Sequence, residues 1–70
     1  MRYAVVIEQG PSSFGAYVPD LPGCVAAGDS REEVVGLIQD AIEFHIEGLK
    51  ADGQSIPPSS STIEFIDVAA

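Results

Sequence analysis

Four carboxylates in this 70-residue chain, Glu8, Asp20, Asp29 and Asp67, stand at or near the ends of candidate strands. A nuclease uses acids in such positions to hold metal ions that clamp the scissile phosphate. The spacing of the four matches no metal-binding motif, and solvated turn and edge residues are the competing account. His45 could act as a general base, since histidine titrates near a pKa of about 6.5. It falls on or beside the apolar face of a candidate helix, with no serine or cysteine tied to it in sequence, which reads as packing. Cys24 follows a turn and opens an apolar strand, so it suits a small buried hydrophobe better than a nucleophile. A single cysteine excludes an intrachain disulfide, and one cysteine with one histidine is a poor donor set for zinc. No metal site or cofactor is expected.

Binding is the stronger chemistry. In Pro19-Asp20-Leu21-Pro22 two prolines restrain a short connector, which lowers the entropy lost on docking to a partner. The connector is expected to display Asp20 and Leu21; the alternative is that it only re-aims the chain, with Leu21 folded onto the core. Glu64 and Asp67 lie on a candidate edge strand, where a partner or a second copy could add strands to the sheet. Pro19, Asp20, Leu21, Pro22, Glu64 and Asp67 are therefore the candidate partner-binding residues.

The elements that position these residues are legible in the pattern. Arg2 to Gln9 holds the run Tyr3-Ala4-Val5-Val6-Ile7, which lacks alternation and reads as a strand covered on both faces. Gly10-Pro11-Ser12-Ser13 makes a turn, and Phe14 to Val18 is the returning strand of an antiparallel hairpin. Pro19 to Gly23 cannot continue a central strand, because proline has no N–H to give the ladder. Cys24 to Gly28 is a short third strand. Asp29 to Lys50 is a helix: Ser30 suits the N-cap, and Glu33 stands where a capping-box carboxylate reaches back to it. Val34, Leu37, Ile38, Ala41, Ile42, His45, Ile46 and Leu49 recur at helical spacing on one face, and Gly53 suits the helix exit. Gln54 to Ser61 is polar and broken by prolines. Thr62 to Val68 reads as a final strand whose apolar positions change phase between Phe65 and Ile66, which fits a bulge or two covered faces. The order is β-β-β-α-β, an α+β fold with one helix packed on a face of a mainly antiparallel sheet.

Length and charge bound the function. Residues 1–70 make a single domain, 46% hydrophobic and too apolar for a disordered acidic tail. So short a chain buries a modest core, and with no disulfide or metal available, self-association as a homodimer or higher oligomer is the natural supplement. Three basic residues against eleven acidic ones leave a formal charge of −8. Such a surface repels phosphate backbones and attracts basic proteins, so no direct nucleic-acid binding is expected. Ala4 to Ile7 is too short for a signal-peptide core, and no run nears the roughly 20 apolar residues that span a bilayer. A cytoplasmic protein with no membrane partner is expected.

Several blocks, in order, carry a family likeness. Tyr17-Val18-Pro19-Asp20-Leu21-Pro22-Gly23-Cys24 resembles the hairpin exit of HicB antitoxins, and Gly28-Asp29-Ser30-Arg31-Glu32-Glu33 resembles the helix entry that follows. Asp40-Ala41-Ile42 is similar to the family's mid-helix portion. Leu49, Gly53 and Ile56-Pro57-Pro58 are similar to its helix exit, although the proline segment is irregular here. The resemblance spans residues 3 to 68. It implies a partial ribonuclease-H-like fold without that enzyme's activity, and a small basic HicA-type toxin as partner. That toxin cleaves messenger RNA, and the antitoxin masks its active site or its RNA surface. Many family members also carry a C-terminal DNA-binding domain, for which these residues offer no counterpart; a short form is expected. A metal-dependent nuclease on a ribonuclease-H-like frame and a non-catalytic scaffold module are the alternatives.

Overall fold

The computed structural model describes residues 1–70, as three strands followed by one helix. Strands β1 (Val6–Gln9), β2 (Phe14–Tyr17) and β3 (Val25–Gly28) form an antiparallel sheet in the order β1-β2-β3, and helix α1 spans Arg31–Ala51. The α+β class is as expected, but the fourth strand does not form.

The ladder is shorter than the apolar run that feeds it. Val6 pairs with Tyr17 and Gln9 with Phe14. One step outward, the register would set Val5 against Val18 and Ala4 against Pro19. The Val18 N–H faces β3, where the Cys24 carbonyl accepts it at 3.2 Å, and Pro19, the next residue whose backbone faces β1, has no N–H. Pairing therefore stops at Val6 rather than Arg2. Successive residues face opposite sides of a sheet, so Ile7, Ala16 and Ala26 form one row across it and Val6, Tyr17 and Val25 another. The first row faces α1. The second lies on the opposite face, where Tyr17 and Val25 are exposed. The sheet is thus covered on one face within the chain, not on both.

Helix α1 begins where the capping chemistry places it. Ser30 has extended backbone angles, and its hydroxyl accepts the Glu33 N–H at 3.1 Å. The Glu33 carboxylate reaches back one residue further than a standard capping box, accepting the Asp29 N–H at 3.4 Å. At the other end the Gly53 N–H bonds the Lys50 carbonyl and the Gln54 N–H bonds that of Leu49. With Gly53 at φ +69, this is a Schellman termination, a conformation that glycine adopts without strain.

Ala16, Val18, Leu21, Cys24, Val34 and Ile38 form the core, with Tyr3, Val5, Ile7, Phe14, Ala26, Ala41 and Ile42 packed around it. Helix α1 sits over β3 and β2, so β1 lies at the less covered side. Leu37, expected on the buried stripe, is at its margin and exposed.

Thr62 to Val68 forms no ladder, although Thr62 shares a recess with Arg2, Tyr3 and Ala4 and Phe65 shares one with Ile7, Gln9 and Phe14. No backbone–backbone hydrogen bond involves any residue after Gln54. The segment has strand-like composition, but its amides meet no ladder, and Ile63, Phe65, Ile66 and Val68 are all exposed.

Candidate functional site

The connector is two consecutive β-turns, and that geometry decides which way each side chain points. The Leu21 N–H bonds the Val18 carbonyl at 3.1 Å, closing a turn with Pro19 in its second position. The Cys24 N–H bonds the Leu21 carbonyl at 3.0 Å, closing another with Pro22 in second position and Gly23 third, at φ +86. Proline second and a positive-φ glycine third are the marks of a type II turn. The chain reverses through both turns and drives Leu21 inward, to 0% exposure beside Val34. Leu21 is therefore a core residue and is not displayed. Pro19 and Pro22 remain on the surface.

Asp20 is half-buried and fully engaged. Its Oδ2 accepts the backbone N–H groups of Ser60 and Ser61, each at 2.9 Å. Its Oδ1 accepts their hydroxyls, at 3.1 and 2.9 Å. Four donors converge on one carboxylate, and hydrogen bonds to the charged form favour that form. The Ser61 N–H, then the Ser60 N–H and the Ser61 hydroxyl, hold the Asp20 carboxyl down to about 2 from an ordinary 3.8, against a small opposing push from burial. A second tie runs from the Tyr3 hydroxyl to the Pro57 carbonyl at 2.6 Å. Together they pin the polar stretch after α1 to the sheet layer. The segment with Glu64 and Asp67, both exposed, starts from this pinned root.

The structure therefore joins the connector to the base of the C-terminal segment through Asp20. It does not gather the four carboxylates: no group of three or more His, Cys, Asp or Glu side chains stands close enough to hold a metal ion. Cys24 is buried in the core, which pushes its thiol up, and His45 is half-buried along α1. No helix is long and apolar enough to cross a membrane.

Two apolar surfaces were not anticipated. Between α1 and β1 runs an open groove of about 220 Å³, lined by Val5, Ile7, Val35, Ile38, Gln39 and Ile42. On another flank of the helix Leu37 and Phe44 are exposed two turns apart. The aromatic at position 44, outside the apolar stripe, was the one available signal for the second.

Comparisons with known proteins agree in direction. The chain is 37% identical over 67 residues to an uncharacterised 14.9 kDa protein of Haemophilus phage HP1, covering 96% of this chain and 50% of that protein. It is 34% identical over 71 residues to Antitoxin HicB 2 of Photorhabdus laumondii, covering all of this chain and 51% of that protein. The chain thus spans about half the length of these two relatives, but 97% of a UPF0150 protein of Helicobacter pylori to which it is 38% identical over 70 residues, 99% of this chain. Among solved structures, a chain from a HicA3 and HicB3 toxin-antitoxin complex superposes with a TM-score of 0.72 at 30% identity. That match covers 84% of this chain and 70% of the other. A family model for the HicB-like antitoxin of bacterial toxin-antitoxin systems matches residues 3–69. The double turn, the capped helix and the segment Thr62 to Val68 all fall inside that match, and the chain belongs to the HicB-like antitoxin family.

Proposed function

We propose that this chain is an antitoxin-type binding protein that neutralises a small basic HicA-like, messenger-RNA-cleaving toxin by masking its active site or RNA surface. The observation that carries the reading is the likeness in fold and sequence to a chain of a toxin–antitoxin complex. The formal charge of −8 supports it, because an acidic body speeds encounter with a basic partner and disfavours polyanions. The role is non-catalytic and needs no cofactor, and its setting is the cytoplasm, where messenger RNA is cleaved. The partner surface comprises the outer side of the double turn, Pro19 and Pro22 with Asp20 beneath, and the acidic positions Glu64 and Asp67. Leu21 contributes from the core, by holding the turn rigid.

The working form is a homodimer. A core of six buried residues is small for an independently stable unit. A fourth strand added to the sheet would complete the β-β-β-α-β order of the partial ribonuclease-H-like frame. Co-expression with a HicA-type toxin tests the reading: a co-purifying complex and relief of toxicity are expected. Free toxin with undiminished toxicity would refute it.

A further inference from the structure

Helix α1 carries a second ordered face beside the one it lays on the sheet. Leu37 and Phe44 stand seven residues apart, close to two full turns, so they fall in one column along the helix, and Ala51 continues it. Phe44 is 80% and Leu37 40% exposed, and neither belongs to the core. Glu33, Asp40 and Glu47 repeat at the same interval, each four residues before a member of that column. Residues four apart are neighbours on a helix surface, so the three acids form a second column along the first. All three are exposed. On the side toward the sheet the apolar column is bordered by Ala41 and Gly48, both small. Glycine inside a helix weakens it. Nothing lies within 4 Å of the place where a Cβ at Gly48 would stand, so no neighbouring element needs the space.

An apolar column with small residues on one side and charge on the other has the layout of a helix-pairing seam. The apolar side chains supply the contact, the small ones allow close approach, and the flanking charges select the partner. Charge also separates the occupants. Carboxylates repel nucleic acid. A second copy of the chain would bring the same acidic column and another body of charge −8. A helix with lysine or arginine flanking its own apolar stripe meets opposite charge along its whole length.

We propose that the Leu37–Phe44 face of α1 is a docking seam for a basic amphipathic helix of a partner protein, which packs alongside α1 with its cations against Glu33, Asp40 and Glu47. Phe44 is the anchor, a large aromatic at the middle of the seam. Gly48, one turn further on, lets the partner's backbone come near. From Leu37 to Ala51 the seam is about 21 Å long, which takes about fourteen residues of a partner helix. It shares no residue with the partner surface proposed above and does not depend on that partner being a toxin.

Fluorescence anisotropy of the full chain with a labelled synthetic helix tests the seam. The probe is about three heptads long, with leucine along one stripe and lysine on both flanks, and those lysines keep it from pairing with itself. One control has the same composition in scrambled order; the other carries glutamate in place of lysine. The ordered lysine peptide is expected to bind about tenfold or more tightly than the scrambled one, because charge alone treats the two alike. Phe44→Asp is expected to weaken that binding about tenfold or more, although it adds a negative charge. Its helical circular dichroism should be unchanged, since Phe44 lies outside the core. Asp40→Lys/Glu47→Lys, both at exposed positions, is expected to cut the preference for lysine over glutamate flanks about tenfold or more. Equal binding of the ordered and scrambled peptides, or binding that Phe44→Asp leaves intact, overturns the seam. A lysine variant that keeps the wild-type preference overturns the choice of a basic partner.

Discussion

Asp20 and Ser61, 41 positions apart in the chain, are joined twice: the carboxylate accepts both the backbone N–H and the hydroxyl of the serine, each at 2.9 Å. The residue that looked most like a free acidic contact is thus the anchor of the C-terminal segment.

Acid should release that anchor. The Asp20 carboxyl titrates near 3.8 when the chain is unfolded and near 2 when folded, so the folded state binds its proton less readily. The stabilisation is fully present above about pH 4 and is lost as the pH falls through about 2. An NMR titration should show the Ser60 and Ser61 amides shifting in that window. In Asp20→Asn at neutral pH the same two amides should exchange with solvent much faster, while the helix signals stay put.

Leu21→Ala should damage the body of the protein, not merely its surface. Truncating a fully buried leucine costs roughly 2–5 kcal/mol, a large share of the 5–15 kcal/mol typical of a domain. Urea unfolding should show a markedly lower midpoint. A change under about 1 kcal/mol would show that Leu21 lies outside the core.

Gly23→Ala should destabilise by roughly 1–2 kcal/mol, because its φ of +86 strains any residue with a Cβ. Nothing lies within 4 Å of the Cβ position, so the loss reports backbone strain and not a clash. Thermal melts of this variant beside Gly36→Ala, an open position in a helix, should show opposite signs.

A Glu64→Lys/Asp67→Lys variant should bind a HicA-type toxin with slower association, and the deficit should shrink as salt rises. Both side chains are exposed, so folding should be unaffected. Stopped-flow association across a salt series gives the answer; identical rates would remove this segment from the interface.

Some of this architecture was plain in the residues, and the reasons differ element by element. The helix was legible because Ser30, the apolar spacing from Val34 and Gly53 all act within a turn or two of chain. The hairpin was legible for the same local reason. The direction of Leu21 stayed open between display and the core because the two prolines signal stiffness alone, whereas the direction of the side chain depends on two turns acting in sequence. The Pro22-Gly23 pair held that information, as the middle of a type II turn. Thr62 to Val68 forms no strand although its composition favours one, because propensity does not supply the ladder bonds that define a strand. The Asp20 tie spans 40 and 41 residues, and nothing local marks Ser60 or Ser61 as its targets. The unbroken apolar run at Tyr3 to Ile7 did announce a strand needing cover on both faces. It could not say that the chain itself covers only one.

The way the elements are wired has a consequence for how the molecule comes into being. Each strand pairs with the next one along the chain, and α1 follows directly to lie on β3 and β2. Folds built from such near neighbours form quickly, and everything through Ala51 can assemble before the remaining residues take part. The bonds from Tyr3 to Pro57 and from Asp20 to Ser60 and Ser61 then arrive as a late latch, closed over a body already shaped.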